Sequence, residues 1–96
     1  MTYFVYMMAS KPNGTIYIGM TNDLVKRAWE HRNHVVEGFT DTHRVECLVW
    51  YEQHDSVEEA IKRENVLNKY KRDWKIKLIE TDNSRWDDLF NAIASG

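Results

Sequence analysis

Thr15-Ile16-Tyr17-Ile18-Gly19 is the stretch on which the reading of this chain turns. Ile16 and Ile18 alternate against Tyr17, the period of a strand, and Gly19 stands where the strand is expected to end and the backbone to turn. Upstream, Tyr3 to Ala9 is apolar and rich in aromatic and β-branched residues, and Lys11-Pro12-Asn13-Gly14 between the two segments is turn chemistry. Together they predict a β-hairpin. With an even number of residues in its loop, Tyr6 falls opposite Gly19 or one pair beyond, and the phenols of Tyr6 and Tyr17 share one sheet surface. An odd loop separates them.

Thr21-Asn22-Asp23 is expected to cap a helix running to about Val35, with Leu24, Val25, Ala28, Trp29 and Val35 as its apolar stripe. At about 100° per residue, Arg27 and His31 fall together beside one edge of that stripe, bordering the core without joining it. Arg32 falls inside the apolar arc, so its stem must snorkel or the helix end less regularly. After a polar connection containing Gly38 and Asp41, Val45 to Glu52 reads as a third strand, Cys47, Val49 and Tyr51 alternating against Leu48 and Trp50. Ser56-Val57-Glu58-Glu59 is a capping box that opens a long helix to about Arg72. Its apolar face, Val57, Ala60, Ile61 and Leu67, has Glu64 in its middle. A carboxylate buried there needs a cation, a metal or hydrogen bonds, because an unpaired buried charge is strongly destabilising.

Trp74, Leu78 and Ile79 suggest a further short helix, and Asn83-Ser84 a cap for a last one carrying Trp86, Leu89, Phe90 and Ile93. The order ββαβααα describes a small α/β sandwich, a three-stranded antiparallel sheet flanked by helices. At 96 residues the chain is read as a single domain, residues 1–96. The lone Cys47 makes no internal disulfide, and Met1 to Ala9 lacks a basic flank and is too short for a signal segment or a membrane span. A reducing cytoplasm is the expected compartment.

The formal net charge of −2 argues against a generic polyanion binder, yet the charge is unevenly placed. Between Lys62 and Lys77 stand Lys62, Arg63, Lys69, Lys71, Arg72, Lys75 and Lys77 against only Glu64 and Asp73. Either this is a solvated helix face or it is a nucleic-acid footprint.

Hydrolysis of a phosphodiester needs an activated water, charge compensation on the non-bridging oxygens and help for the leaving oxygen. Tyr17, Arg27, His31 and Glu64 offer a candidate for each. A lone carboxylate suits a hard, oxygen-seeking ion such as Mg²⁺ that keeps most of its waters, so Glu64 is the candidate metal ligand, with Asn68 one turn on as its support. The Arg27 fork would clamp phosphate oxygens. Tyr17 or Tyr6 takes a proton only if a nearby cation lowers a phenol from its usual pKa of about 10. Taken singly, each has a structural alternative: packing tyrosines, a surface arginine, a helix-edge histidine. His31, His34, His43, His54 and Cys47 contain no cysteine pair, and their spacing fits no closed zinc site.

At these residues the chain resembles the GIY-YIG nuclease superfamily over almost its whole length. The first motif stands as Phe4-Val5-Tyr6, keeping the tyrosine, and the second, Tyr17-Ile18-Gly19, is intact. Further matches are Thr21-Asn22-Asp23-Leu24 with Arg27 and His31, Gly38-Phe39-Thr40, Leu48-Val49-Trp50-Tyr51-Glu52, Glu59-Ala60-Ile61 through Arg63-Glu64, and Asn83-Ser84-Arg85-Trp86. The likeness in length and motif is to small stand-alone bacterial GIY-YIG proteins. It implies Tyr6 and Tyr17 as active-site phenols, Arg27 as the phosphate arginine, His31 as a base or its supporter, Glu64 as the metal ligand, and Gly19 and Asn83 as site-supporting. It further implies Mg²⁺- or Mn²⁺-dependent hydrolysis of DNA, in repair or recombination, with Lys26, Lys69, Lys71 and Arg72 meeting the nucleic acid. The alternative is a nucleic-acid-binding module that kept the fold and hydrolyses little, with a protein partner supplying specificity. A protein-interaction scaffold is the third reading.

Overall fold

A computed structural model describes residues 1–35 and 43–95. Gly38-Phe39-Thr40 and Asp41 lie outside the described residues. Strands β1 (Tyr3–Ala9), β2 (Ile16–Thr21) and β3 (Cys47–His54) form one sheet in the order β2-β1-β3, antiparallel throughout. Helix α1 (Leu24–Arg32) follows β2, and α2 (Val57–Lys69), α3 (Arg72–Asp82) and α4 (Phe90–Ala94) follow β3. The element order is the expected ββαβααα.

The central strand is covered on both faces, which is why Val5 to Ala9 is buried without a break. Val5, Met7, Ala9 and Ile18 pack with Ala60, Leu67 and Ile79 under α2 and α3. Tyr6 and Met8 pack with Leu24, Ala28 and Leu48 under α1 and α4. The hairpin connection from Ser10 to Thr15 is closed by Ser10 N–H to Thr15 O at 3.1 Å and Gly14 N–H to Lys11 O at 2.9 Å. It holds an even number of residues, so Tyr6 pairs with Gly19 and shares a face with Tyr17.

Several boundaries move, each for a local reason. Strand β2 continues through Gly19 to Thr21. Helix α1 stops at Arg32, where Asn33 caps it and His34 turns left-handed with φ 56°. Its inward line is Leu24, Ala28 and His31, while Val25, Trp29 and Val35 are exposed. The expected stripe is therefore rotated, and His31 joins the core. Arg32 resolves outward: its guanidinium pairs with Asp88 and lies 4.9 Å from the Phe90 ring centroid.

In β3 a bulge opposite Met7 and Met8 pairs Trp50 and Leu48 with them and leaves Val49 as the extra residue. Leu48, Val49 and Trp50 are then all buried, which breaks the simple alternation expected there. Ser56 caps α2 by accepting from Glu59 N–H at 3.1 Å, but the helix ends at Lys69. Tyr70 and Lys71 are extended, and Arg72 opens α3 instead of closing α2. The last helix is only Phe90–Ala94. Asn83 does not cap it; Asn83 ends α3, and Trp86 sits in the connection with φ 58°, its indole N–H donating to Glu80 at 2.7 Å. That connection also covers the β3 edge, Leu89 N–H bonding Leu48 O at 2.8 Å and Asp88 accepting from Leu48 N–H at 3.2 Å. Among the described residues no helix is long and apolar enough to cross a membrane.

Candidate active site

Tyr6 stands directly opposite Gly19 on the central strand. A Cβ at Gly19 would lie 2.6 Å from the Tyr6 hydroxyl, 2.7 Å from its Cζ and 3.0 Å from Cε2 of Tyr17. The glycine is thus required by the close approach of a phenol inside a strand, and not by a turn as expected. Tyr6 is 1% exposed.

His31 reaches the same point from α1. Its Nε2 lies 3.1 Å from Tyr6 Oη, and the Tyr6, Tyr17 and His31 rings form a triangle with centroids 6.3, 5.8 and 5.5 Å apart. His31 is 3% exposed, and its Nδ1 is buried with no hydrogen-bond partner among the described residues. Buried polar atoms are seldom left so, and an unsatisfied one costs roughly 1–3 kcal/mol.

The electrostatics draw in two more residues. Burial, joined by the Tyr17 phenol, pushes the Tyr6 hydroxyl well above the ordinary phenol range; Arg27 opposes by charge and hydrogen bonding, and Glu64 adds to the rise. At Tyr6 desolvation outweighs Arg27, so the arginine by itself does not bring this phenol below its ordinary range. Burial and then Arg27 depress His31, against Glu30. The pair rests as a protonated phenol and a neutral imidazole.

Arg27 is half-buried, and its Nε lies 3.2 Å from Glu30 Oε1. Glu30 was not among the expected site residues, although its position three after Arg27 on a helix is the signal that would have found it. Arg27 and Lys26 line a cavity of about 170 Å³ with Thr21, Asn22, Asp23 and Glu30. Tyr17 is half-buried as well.

Glu64 lies on α2 between Ala60 and Leu67, both 0% exposed, and is itself half-buried. Ile61 is turned outward at 43% exposure, so the carboxylate sits beside a narrower buried line than the sequence suggested. No hydrogen bond or ion pair ties Glu64 to another described residue, which leaves its oxygens available. Among the described residues no three His, Cys, Asp or Glu side chains converge as metal ligands. One unspent carboxylate fits Mg²⁺ or Mn²⁺ keeping most of its waters, and does not fit an all-protein cage. His34 pairs with Glu46 and His54 with Glu52.

Tyr17, Arg27, His31 and Glu64 thus each act on Tyr6, by ring contact, charge or hydrogen bond. Asn83 is buried and donates to Val49 O at 3.0 Å and Asp87 O at 2.9 Å while accepting from Asp87 N–H at 3.0 Å. It fastens the last connection to β3, beside the strand that carries Tyr6. Lys26, Lys69 and Lys71 are exposed. Arg72 is spent locally, donating to the carbonyls of Asn13 at 2.5 Å and Gly14 at 2.6 Å.

Comparison with known proteins identifies the family of the chain and its fold. A UPF0213 protein of Staphylococcus saprophyticus is 34% identical over 77 residues, covering 80% of this chain and 93% of the relative. One from Staphylococcus epidermidis is 32% identical over 78 residues, covering 81% and 94%. The solution NMR structure of a UPF0213 protein from Bacillus halodurans shares the fold, with a TM-score of 0.57 at 24% identity over 93% of this chain and 94% of that one. Residues 2–77 match the GIY-YIG catalytic domain, and the chain belongs to the GIY-YIG family.

Proposed function

We propose that this chain hydrolyses phosphodiesters of DNA, in repair or recombination, at the site formed by Tyr6, Tyr17, Arg27, His31 and Glu64. The observation that carries the reading is the Tyr6–His31 hydrogen bond of 3.1 Å, made between a phenol that holds its proton and an imidazole that lacks one. Such a pair serves as a relay. As Tyr6 Oη accepts a proton from the attacking water, its own proton passes to His31 Nε2, so hydroxide forms without a free phenolate. The hydroxide attacks phosphorus, the bond to the leaving oxygen breaks, and that oxygen takes a proton from solvent.

Arg27 exchanges Glu30 for the non-bridging phosphate oxygens, where a bidentate contact compensates the charge that builds up. Tyr17, half-buried over the pair, excludes water from one side and orients the ester. Glu64 would hold Mg²⁺ or Mn²⁺, whose chemistry when bound is to polarise the phosphoryl group and support the leaving oxygen.

The test is cleavage of branched, nicked and single-stranded DNA with and without Mg²⁺ or Mn²⁺. Turnover should require the metal and fall about 100-fold or more in Glu64→Ala. Wild-type turnover in that variant defeats the mechanism. The ion pair that occupies Arg27 favours one alternative, a binding module with little catalysis. Salt-sensitive binding with no metal-dependent turnover would establish it.

A further inference from the structure

Away from the site, Trp74 on α3 keeps 60% of its surface open, more than any other tryptophan among the described residues. A large indole left in water forgoes the burial that is its usual contribution, so the position asks what covers it. Its ring stands 6.0 Å from that of Tyr70, tilted by 58°. Lys71 and Lys77 flank it three residues before and after, and both are exposed. Asp73, Trp74 and Lys77 line a shallow cavity of about 120 Å³.

The surrounding charge narrows the occupant. The segment from Lys62 to Lys77 is basic in a chain whose net charge is −2. Arg63 is consumed by Glu52 and Arg72 by the β1–β2 turn, so they do not explain the surplus. Lys69, Lys71 and Lys77 are exposed and enter no ion pair among the described residues. An open indole between lysines matches a polyanion whose units each carry a free flat face, which is single-stranded nucleic acid. Duplex bases stack on one another and offer no such face.

We infer that Trp74 is a stacking platform for an unpaired base, with Lys71 and Lys77 on the flanking phosphates, so that the strand this chain acts on includes a single-stranded segment. The hydrolytic reading is needed only to call that strand a substrate; the binding stands without it. Arg72 ties the start of α3 to Asn13 and Gly14, and Tyr17 follows Gly14 by about 10 Å of strand.

Fluorescence anisotropy tests the inference, using the full chain in EDTA, a fluorescein-labelled oligonucleotide of about 12 nucleotides and its duplex. Trp74→Ala should weaken single-strand binding about tenfold and leave duplex binding within about twofold, while Trp74→Phe keeps most of the affinity. Lys77→Gln should weaken both and flatten their salt dependence. Circular dichroism melting should show Trp74→Ala folded, the indole being exposed. Equal loss for strand and duplex, or no loss for either, overturns the inference. So does Trp74-dependent binding to phosphatidylserine vesicles with oligonucleotide affinity unchanged. A chain that binds the strand through Trp74 and never cleaves it with Mg²⁺ or Mn²⁺ defeats the hydrolytic reading and leaves this one standing. Cleavage with binding indifferent to Trp74 does the reverse.

Discussion

The two faces of the sheet are filled on different terms. Beneath α2 and α3 lie the aliphatic side chains of Val5, Met7 and Ala9 from the central strand and, from the helices, Ala60, Leu67 and Ile79, which fill volume and carry no polar group. Beneath α1, the same depth holds a phenol and an imidazole, and one imidazole nitrogen has no partner among the described residues. Both faces are buried, yet only one is filled at a loss of stability. A fold that places polar rings where hydrocarbon would pack better gives up stability there, and the proposed relay is what that loss would serve.

The largest effect that would test this contrast is on the hydrocarbon side. Leu67 is 0% exposed, and Leu67→Ala should lower stability by about 2–5 kcal/mol in urea denaturation. Any cleavage per folded molecule should hardly change, since Leu67 meets none of the site's rings. A loss below about 1 kcal/mol would mean that this face is not the stabilising one.

A smaller stability effect, coupled to a larger functional one, belongs to Gly19→Ala. The added methyl would stand 2.6 Å from the Tyr6 hydroxyl, and a ring that is 1% exposed has little room to yield. Overpacking of this kind costs about 1–3 kcal/mol. Because the displaced atom is the one bonded to His31, cleavage should fall about 100-fold, well beyond what the stability loss explains. Parallel melting and cleavage measurements decide it; a variant that loses stability without losing turnover would separate Gly19 from the chemistry.

Much of this contrast was legible in the sequence, and the misses have physical causes. The hairpin parity placed Tyr6 against Gly19 correctly because side chains alternate with a period of 2 whatever the tertiary context. Helix phase put Glu64 in the middle of an apolar face, and the carboxylate instead stands half-buried beside a narrower one because Ile61 turns outward. The stripe of α1 was misjudged because periodicity sees hydrophobicity and not the partner: Trp29 reads as core, yet His31 takes the inward position since Tyr6 can hydrogen-bond it. The division at Tyr70 and Lys71 escaped notice because neither residue is a strong helix breaker and the cause lies far off in sequence, where Arg72 reaches the carbonyls of Asn13 and Gly14. The bulge at Val49 likewise depends on β1 and on the connection after α3, not on β3 itself.

The smallest effect is a pH dependence that only the polar face should show. His31 is depressed below its ordinary value of 6.5 by burial and by Arg27, with Glu30 opposing. Above pH 6.5 it is neutral folded and unfolded alike. As pH falls through 6.5 the unfolded chain takes up a proton that the folded chain still refuses, so stability present above 6.5 is lost on acidification until the folded value is passed. Tyr6 mirrors this at the alkaline end: raised by burial and Tyr17, it makes the folded chain lose stability as pH rises through 10, where the unfolded phenol ionises first. Urea denaturation across pH 5 to 8 should therefore show a flatter curve for His31→Gln than for the unaltered chain, the other histidines cancelling in the difference, whereas Leu67→Ala should shift the whole curve without changing its slope. An unchanged slope in His31→Gln would mean that the imidazole is not held neutral by the site, and the relay from Tyr6 would lose its acceptor.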